Sequence, residues 1–256
     1  MYKDLWINTY QSIGLIQHFK GEERVASGSG FIINGYLVTN HHVYLVPPSD
    51  RIIIEFSGEE TVRIELSKAE FNQAFKEGSS ENNWDYAIFD LPQLKKIPSL
   101  KFCDPDREIS IGMQVALLGY AFGSCNLSIH PGVVSSRFKK NEVEYIQVDA
   151  SINRGNSGGP LLDPETGDVV GIVTRSATGL TEMFDDVIKS FDGNIDALEA
   201  VGKSGTSITF GNVNPLEALS MSQKQMKEIS MAIKRSANVG FGFAFTLDEV
   251  RKSIGS

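Results

Sequence analysis

The chain has little that would tie it to a membrane, a nucleic acid or a disulfide scaffold. Its 256 residues include only two cysteines, Cys103 and Cys125. One disulfide could form, but the cysteine framework of a small secreted domain is excluded. No apolar run approaches the ~18 residues of a transmembrane helix. The opening Met1-Tyr-Lys-Asp-Leu-Trp lacks the apolar segment of a signal peptide. These absences make a reducing cytoplasm the expected compartment. Positive charge is also scarce: 24 Lys and Arg stand against 32 Asp and Glu, a formal net charge of -8. Such a chain is poorly suited to phosphate backbones or anionic lipid, so neither nucleic acid nor membrane is expected as a partner. Internal repeats and low-complexity tracts are lacking too. What is present is a globular composition, 41% hydrophobic and 22% charged, at a length that buries a sizeable core.

Short strand-like runs separated by turn residues dominate the first 180 residues. They fall at 12–18, 29–33, 36–39, 51–56, 61–66 and 85–91, then at 113–119, 127–135, 143–148, 159–162 and 169–174. Thr61-Val-Arg-Ile-Glu-Leu alternates as a half-buried strand should. This density of short strands predicts an all-β sandwich or barrels. The stretch 91–105 carries Pro92, Pro98 and Pro105 and reads as a connector between two β units. Residues 68–83 are polar and read as a short helix or a long loop. Residues 179–237 break the pattern. Leu180, Met183, Phe184, Val187, Ile188 and Phe191 recur at helical spacing, and Ile195 and Leu198 extend the series. Asn214-Pro215 reads as an N-cap followed by proline at the first helical position. Leu216, Leu219, Met226, Ile229 and Ile233 then mark a second helix. Strand pattern resumes at 238–245, and 247–254 reads as a closing helix.

The chemistry concentrates in Gly-Asn-Ser-Gly-Gly-Pro, residues 155–160. A serine between glycines sits on a turn that most side chains would block. The turn exposes the hydroxyl and gathers backbone N–H groups, which are the needs of acyl transfer. Ser157 is the candidate nucleophile, with Gly155, Asn156 and Ser157 forming the candidate oxyanion hole. The N–H groups of Gly155 and Ser157 are the donors, and Asn156 shapes the turn. A serine hydroxyl needs a base at neutral pH. Of His18, His41, His42 and His130, the adjacent pair ends the strand that leads out of Leu37-Val-Thr-Asn. In an extended chain only one of the two can face a given cleft. Asp85 and Asp90 flank an apolar run, and either could orient the imidazole. Sequence pattern does not choose within either pair.

These segments resemble the trypsin/chymotrypsin fold, and specifically the HtrA/Deg-like serine proteases. The order His, Asp, Ser is that of the fold. Ser27-Gly-Ser-Gly-Phe-Ile-Ile with Leu37-Val-Thr-Asn-His-His-Val resembles the family's histidine block, where histidine directly precedes valine; this selects His42. Asp85-Tyr-Ala-Ile resembles the aspartate block and selects Asp85. Leu118-Gly-Tyr-Ala-Phe-Gly and Pro131-Gly-Val-Val-Ser resemble the opening of the second barrel. Ile146-Gln-Val-Asp-Ala-Ser-Ile-Asn-Arg-Gly-Asn-Ser-Gly-Gly-Pro-Leu-Leu is the closest match. The resemblance implies a single trypsin-like domain of two six-stranded antiparallel β-barrels, about 1–100 and 101–256, with a helical insertion at about 179–237 in the second. It also implies a serine endopeptidase with the triad His42, Asp85 and Ser157, and needing no metal or organic cofactor.

The resemblance carries specificity as well. Ser151, six residues before Ser157, corresponds to the floor of the S1 pocket, next to Ile152. Thr174, Arg175 and Ser176 correspond to the strand along the substrate, and Gly242 to the opposite wall. With no acidic floor, the expected preference is for small or medium apolar residues. Asn156 replaces the aspartate of trypsin, so no activation by N-terminal cleavage is expected. Set against the resembled family, the sequence is expected to lack the PDZ domain that follows the peptidase segment there. The insertion exceeds the usual loop. It reads as a gate over the cleft and a surface for a regulatory protein, or as added packing surface. A non-catalytic protein- or peptide-binding module on the same fold is the alternative class.

Overall fold

In the computed structural model, which describes residues 1–46, 48–80, 83–140, 142–174, 179–203, 214–236 and 242–255, strand alternation sorts apolar side chains into separate cores. Helix α1 (Tyr2–Thr9) leads into β1 (Ile13–Lys20), β2 (Glu23–Ile33) and β3 (Tyr36–Thr39). A helical turn, α2 (His41–Tyr44), precedes β4 (Arg51–Phe56) and β5 (Val62–Ser67). Then come α3 (Lys68–Ala74), β6 (Phe75–Ser79) and β7 (Tyr86–Phe89). The second half contains β8 (Gln114–Gly119), β9 (Ser128–Lys140), β10 (Val143–Val148), β11 (Pro160–Leu162) and β12 (Val169–Thr174). Helices α4 (Gly179–Lys203) and α5 (Pro215–Ser236) follow, then β13 (Gly242–Phe245) and α6 (Asp248–Ile254).

Alternate residues of β1 to β3 face two cores. Ile16, Ile32 and Leu37 pack with Ile52, Ile54 and Phe56 of β4. Their neighbours Ile13, Leu15, Phe31, Ile33 and Val38 pack with Ala116, Leu118, Leu162 and Ile172 of the second half. One sheet therefore serves its own interior and the seam with the other half, which is why its central strands are buried on both faces. The edge strand β5 buries Ile64 and Leu66 and turns Arg63 and Glu65 outward. Across the pair, Arg63 meets Glu55 at 3.0 Å and Arg51 meets Glu65 at 3.1 Å. Charged side chains on an edge discourage pairing with another chain.

The second half closes into a six-stranded barrel in the order β10-β13-β12-β11-β8-β9. The first half corrects the expectation of two closed barrels. Among the described residues it is an open seven-stranded sheet, β5-β4-β1-β2-β3-β7-β6. Its two edges are joined by a helix, not by a ladder. Ser67 caps α3, its hydroxyl accepting from the Glu70 N–H while the Glu70 carboxylate accepts from the Ser67 N–H. Phe71 of α3 is fully buried in the sheet's core. Residues 68–79 are thus a helix and an edge strand, where the sequence suggested a short helix or a long loop over 68–83.

The chain divides into two units, Met1–Ser176 with Gly240–Ser256, and Ala177–Val239. The second is a helical hairpin. Asp192 pairs with Lys227 and Glu199 with Lys224, an order that makes α4 and α5 antiparallel. The Asn214 side chain accepts from the Leu216 N–H at 3.0 Å, the N-cap expected from Asn214-Pro215.

Candidate active site

Asp85 is the most heavily bonded carboxylate of the site. Only 2% of it is exposed, and its backbone has φ 41°, the left-handed region that non-glycine residues seldom occupy. A buried charge is tolerated only when its oxygens are satisfied. Here one oxygen accepts the His42 main-chain N–H at 3.1 Å. The other accepts His42 Nδ1 at 2.7 Å and the Thr174 hydroxyl at 3.0 Å. Asn40 Nδ2 donates to the Asp85 carbonyl at 2.8 Å. A carboxylate can only accept, so Nδ1 carries a proton, and in the neutral ring Nε2 is then left with its lone pair. That is the tautomer a general base requires.

The two histidines lie in α2 and not on an extended strand. Successive residues there diverge by about 100°, so the side chains separate by helical rotation and not by strand alternation. The His41 ring packs edge-on against Tyr44. Tyr44 is anchored by Lys68, whose Nζ donates to the Tyr44 carbonyl at 3.0 Å and lies 4.6 Å from its ring centre. Asp90 is exposed, and its N–H bonds to Ala74. His130 is half-buried beside the Ser128 hydroxyl, and burial lowers its pKa. His18 is fully buried in β1. Cys103 and Cys125 are free thiols, buried and exposed respectively.

The 155–159 turn packs backbone against backbone. Gly155 has φ 97°, and a Cβ there would lie 2.1 Å from the Tyr120 carbonyl oxygen. Gly158 has φ 84°, and its Cβ would lie 2.2 Å from both the Ser29 carbonyl oxygen and the Thr39 hydroxyl. Neither position accepts another residue without displacement. The Asn156 N–H donates to Asn153, the Gly158 N–H to Val173 and the Gly159 N–H to Asn156. The Arg154 carbonyl accepts the Phe122 N–H. Among the described residues no partner takes the N–H of Gly155 or of Ser157. These two donors remain for an oxyanion. The Asn156 amide is buried with neither atom bonded. Ser157 is 6% exposed. Its neighbour Gly158 is pinned to Val173, one residue before the Thr174 that bonds Asp85, so the turn and the carboxylate share one strand.

The residues assigned to substrate binding have different surroundings. Ser151 is exposed. Ile152 is buried in the barrel core with Val148, Ala150 and Ala244. A Cβ on Gly242 would lie 2.1 Å from Ile152 Cδ1, so the two are packed together. Thr174 is buried and spends its hydroxyl on Asp85. Arg175 and Ser176 lie outside the described residues. Sequence reasoning missed Asn40, Phe122 and Ser29 as contributors. Ser29 stands inside the quoted histidine block, but nothing in its spacing shows that its hydroxyl crosses to Gly155.

A family model described as the trypsin-like peptidase domain matches residues 28–172. The chain is 28% identical over 232 residues to serine protease HTRA1 of Xenopus laevis, covering 86% of this chain and 46% of that protein. It is 34% identical over 163 residues to a probable periplasmic serine endoprotease, DegP-like, of Halomonas elongata, covering 61% of this chain and 31% of that protein. The chain thus spans less than half the length of the curated relatives it matches. Among solved structures, the HtrA-type protease AlgW with tripeptide superposes with a TM-score of 0.55 at 26% identity, covering 70% of this chain and 56% of that one. The DegP-like relatives are named as periplasmic, so the cytoplasmic expectation finds no support among them. No helix among the described residues is long and apolar enough to cross a membrane.

Proposed function

Because this chain belongs to the trypsin-like peptidase family, we propose that it is a serine endopeptidase working through an acyl-enzyme. Ser157 attacks the peptide carbonyl and passes its proton to His42 Nε2. Asp85 holds the imidazole in the required tautomer and balances the imidazolium. The N–H groups of Gly155 and Ser157 receive the oxyanion. Collapse of the tetrahedral intermediate breaks the C–N bond, with His42 returning the proton to the leaving amine. Water then repeats the sequence on the ester and frees Ser157. One observation carries this reading. The Asp85 carboxylate binds His42 twice and Thr174 once, beside a turn whose two oxyanion donors are unbonded.

The substrate side is small or medium apolar residues at the cleaved bond, supported by the absence of charge at Ser151, Ile152 and Gly242. The relative solved with a tripeptide favours a peptide ligand here too. The helical unit gates the cleft and serves as the surface for a regulatory protein partner. Its place in the chain, between Thr174 and Gly242, supports this, as do the half-exposed Leu219, Met226 and Ile229 of α5. Neither nucleic acid nor membrane is proposed as a partner.

A serine-directed fluorophosphonate tests the chemistry. The wild type is expected to label and Ser157→Ala is not. An unlabelled wild type would favour the non-catalytic binding module, and a labelled Ser157→Ala would assign the wrong nucleophile. Replacing residues 180–236 with a short linker tests the gate. An unchanged peptidase rate in the folded variant would remove it.

A further inference from the structure

We propose that Ser29 is a positioning residue that sets the oxyanion hole from the other half of the fold. The proposal rests on the acyl-transfer reading of Ser157. Ser29 lies on β2 of the open sheet and is fully buried. Its hydroxyl donates to the Gly155 carbonyl at 2.6 Å, across 126 positions of sequence, and accepts the Tyr120 N–H at 2.9 Å. Its main-chain N–H donates to the Ser157 carbonyl at 2.9 Å. Its carbonyl accepts the Thr39 hydroxyl at 2.6 Å. Every polar group of Ser29 is engaged, and two of them hold the turn that carries the nucleophile.

The geometry explains why this matters for the hole. A peptide unit is planar, so a bond to its carbonyl fixes the direction of its N–H. The Gly155 carbonyl belongs to the 155–156 unit and the Ser157 carbonyl to the 157–158 unit. Ser29 therefore grips the chain on both sides of the unit whose N–H is that of Ser157. The other donor, the Gly155 N–H, belongs to the 154–155 unit, held at its carbonyl by Phe122. Asn156 sits at the centre of the turn, yet its side chain bonds nothing. Side-chain support for the donors thus comes from Ser29. Removing its hydroxyl leaves the Gly155 carbonyl and the Tyr120 N–H buried without that partner, and the turn is then free to rotate toward another one.

The test compares the wild-type chain with Ser29→Ala, Ser29→Cys and Thr9→Val. The last deletes a buried hydroxyl bond to Leu5 outside the site and controls for lost stability. Each is measured for fluorophosphonate labelling rate, for kcat and KM on a fluorogenic peptide, for the pH at the acid limb of kcat, and for Tm. Ser29→Ala is expected to lose roughly tenfold to a hundredfold in labelling rate and kcat. KM and the acid limb of kcat should not move. Thr9→Val should lower Tm and leave the rates alone. Ser29→Cys keeps a weak donor and should fall between wild type and alanine, and it carries the same test if the alanine variant does not fold. Wild-type kcat in a folded Ser29→Ala, or a loss matched by Thr9→Val at equal Tm, would overturn the proposal alone. An unlabelled wild type would overturn the acyl-transfer reading and this proposal with it.

Discussion

At the scale of single residues, Asp85 shows how the site is assembled from donors contributed by distant segments. Asn40 and His42 come from the chain around α2, and Thr174 from the end of β12. Thr174 is the most informative to change. Valine keeps its shape but removes the hydroxyl that Asp85 accepts at 3.0 Å. A hydrogen bond to a charged group contributes ~1.5–3 kcal/mol. Steady-state kinetics of Thr174→Val should therefore show kcat lower by roughly tenfold with KM little changed. Wild-type kcat would mean that Asp85 is sufficiently held by His42 alone. Asp85 and Asp90 look alike in sequence, each beside the same apolar run. Burial and φ separate them, and neither is visible in a string of letters.

At the scale of elements, two short helices do what longer ones would do elsewhere. Four residues of α2 carry His42, and seven of α3 join the two edges of the sheet. Phe71 links them. Its ring stacks on Phe89 at 4.2 Å and meets Tyr44 of α2 edge-on at 5.8 Å. Truncating a fully buried phenylalanine costs ~3–5 kcal/mol through lost burial and the cavity left behind. Phe71→Ala is expected to lower the unfolding free energy measured by denaturant titration by that order. A shift below about 1 kcal/mol would show that α3 is peripheral to the core. Periodicity signalled the insertion helices because their apolar residues repeat over many turns. It could not signal α2, which is a single turn at the end of a strand.

At the scale of the whole molecule, His18 couples stability to pH. It is buried in β1, its Nδ1 lies 3.3 Å from the Ser49 hydroxyl, and its ring edges Phe71. Burial lowers its pKa to about 4, the Lys68 charge adds to this, and the Val43 main chain opposes it. The ordinary value in an unfolded chain is near 6.5. Between those values the unfolded chain binds the proton and the folded protein does not. Stability is therefore fully present above about pH 6.5 and declines as pH falls toward 4. The expected loss is on the order of 3 kcal/mol, read as a falling Tm between pH 7 and 4. His18→Phe should flatten that decline. An equally steep decline in the variant would assign the effect to other groups.

The sequence alone determined the features that depend on near neighbours. Glycines 155 and 158 mark a turn that only glycine can make, alternation marks the strands, and Asn214-Pro215 marks the start of α5. Residue pattern alone did not choose between His41 and His42 or between Asp85 and Asp90; only the resemblance of their blocks to the family's pointed to His42 and Asp85. Tertiary structure decided what depends on residues brought together from far apart in the chain. It left the first sheet open because α3 joins the edges, and it put the adjacent histidines on a helical turn. It also showed that the turn around Ser157 is gripped by Ser29, not by the Asn156 side chain within it. The reason is physical: periodicity reports which face of an element is buried, whereas a hydrogen bond across 126 positions exists only once the two halves have packed.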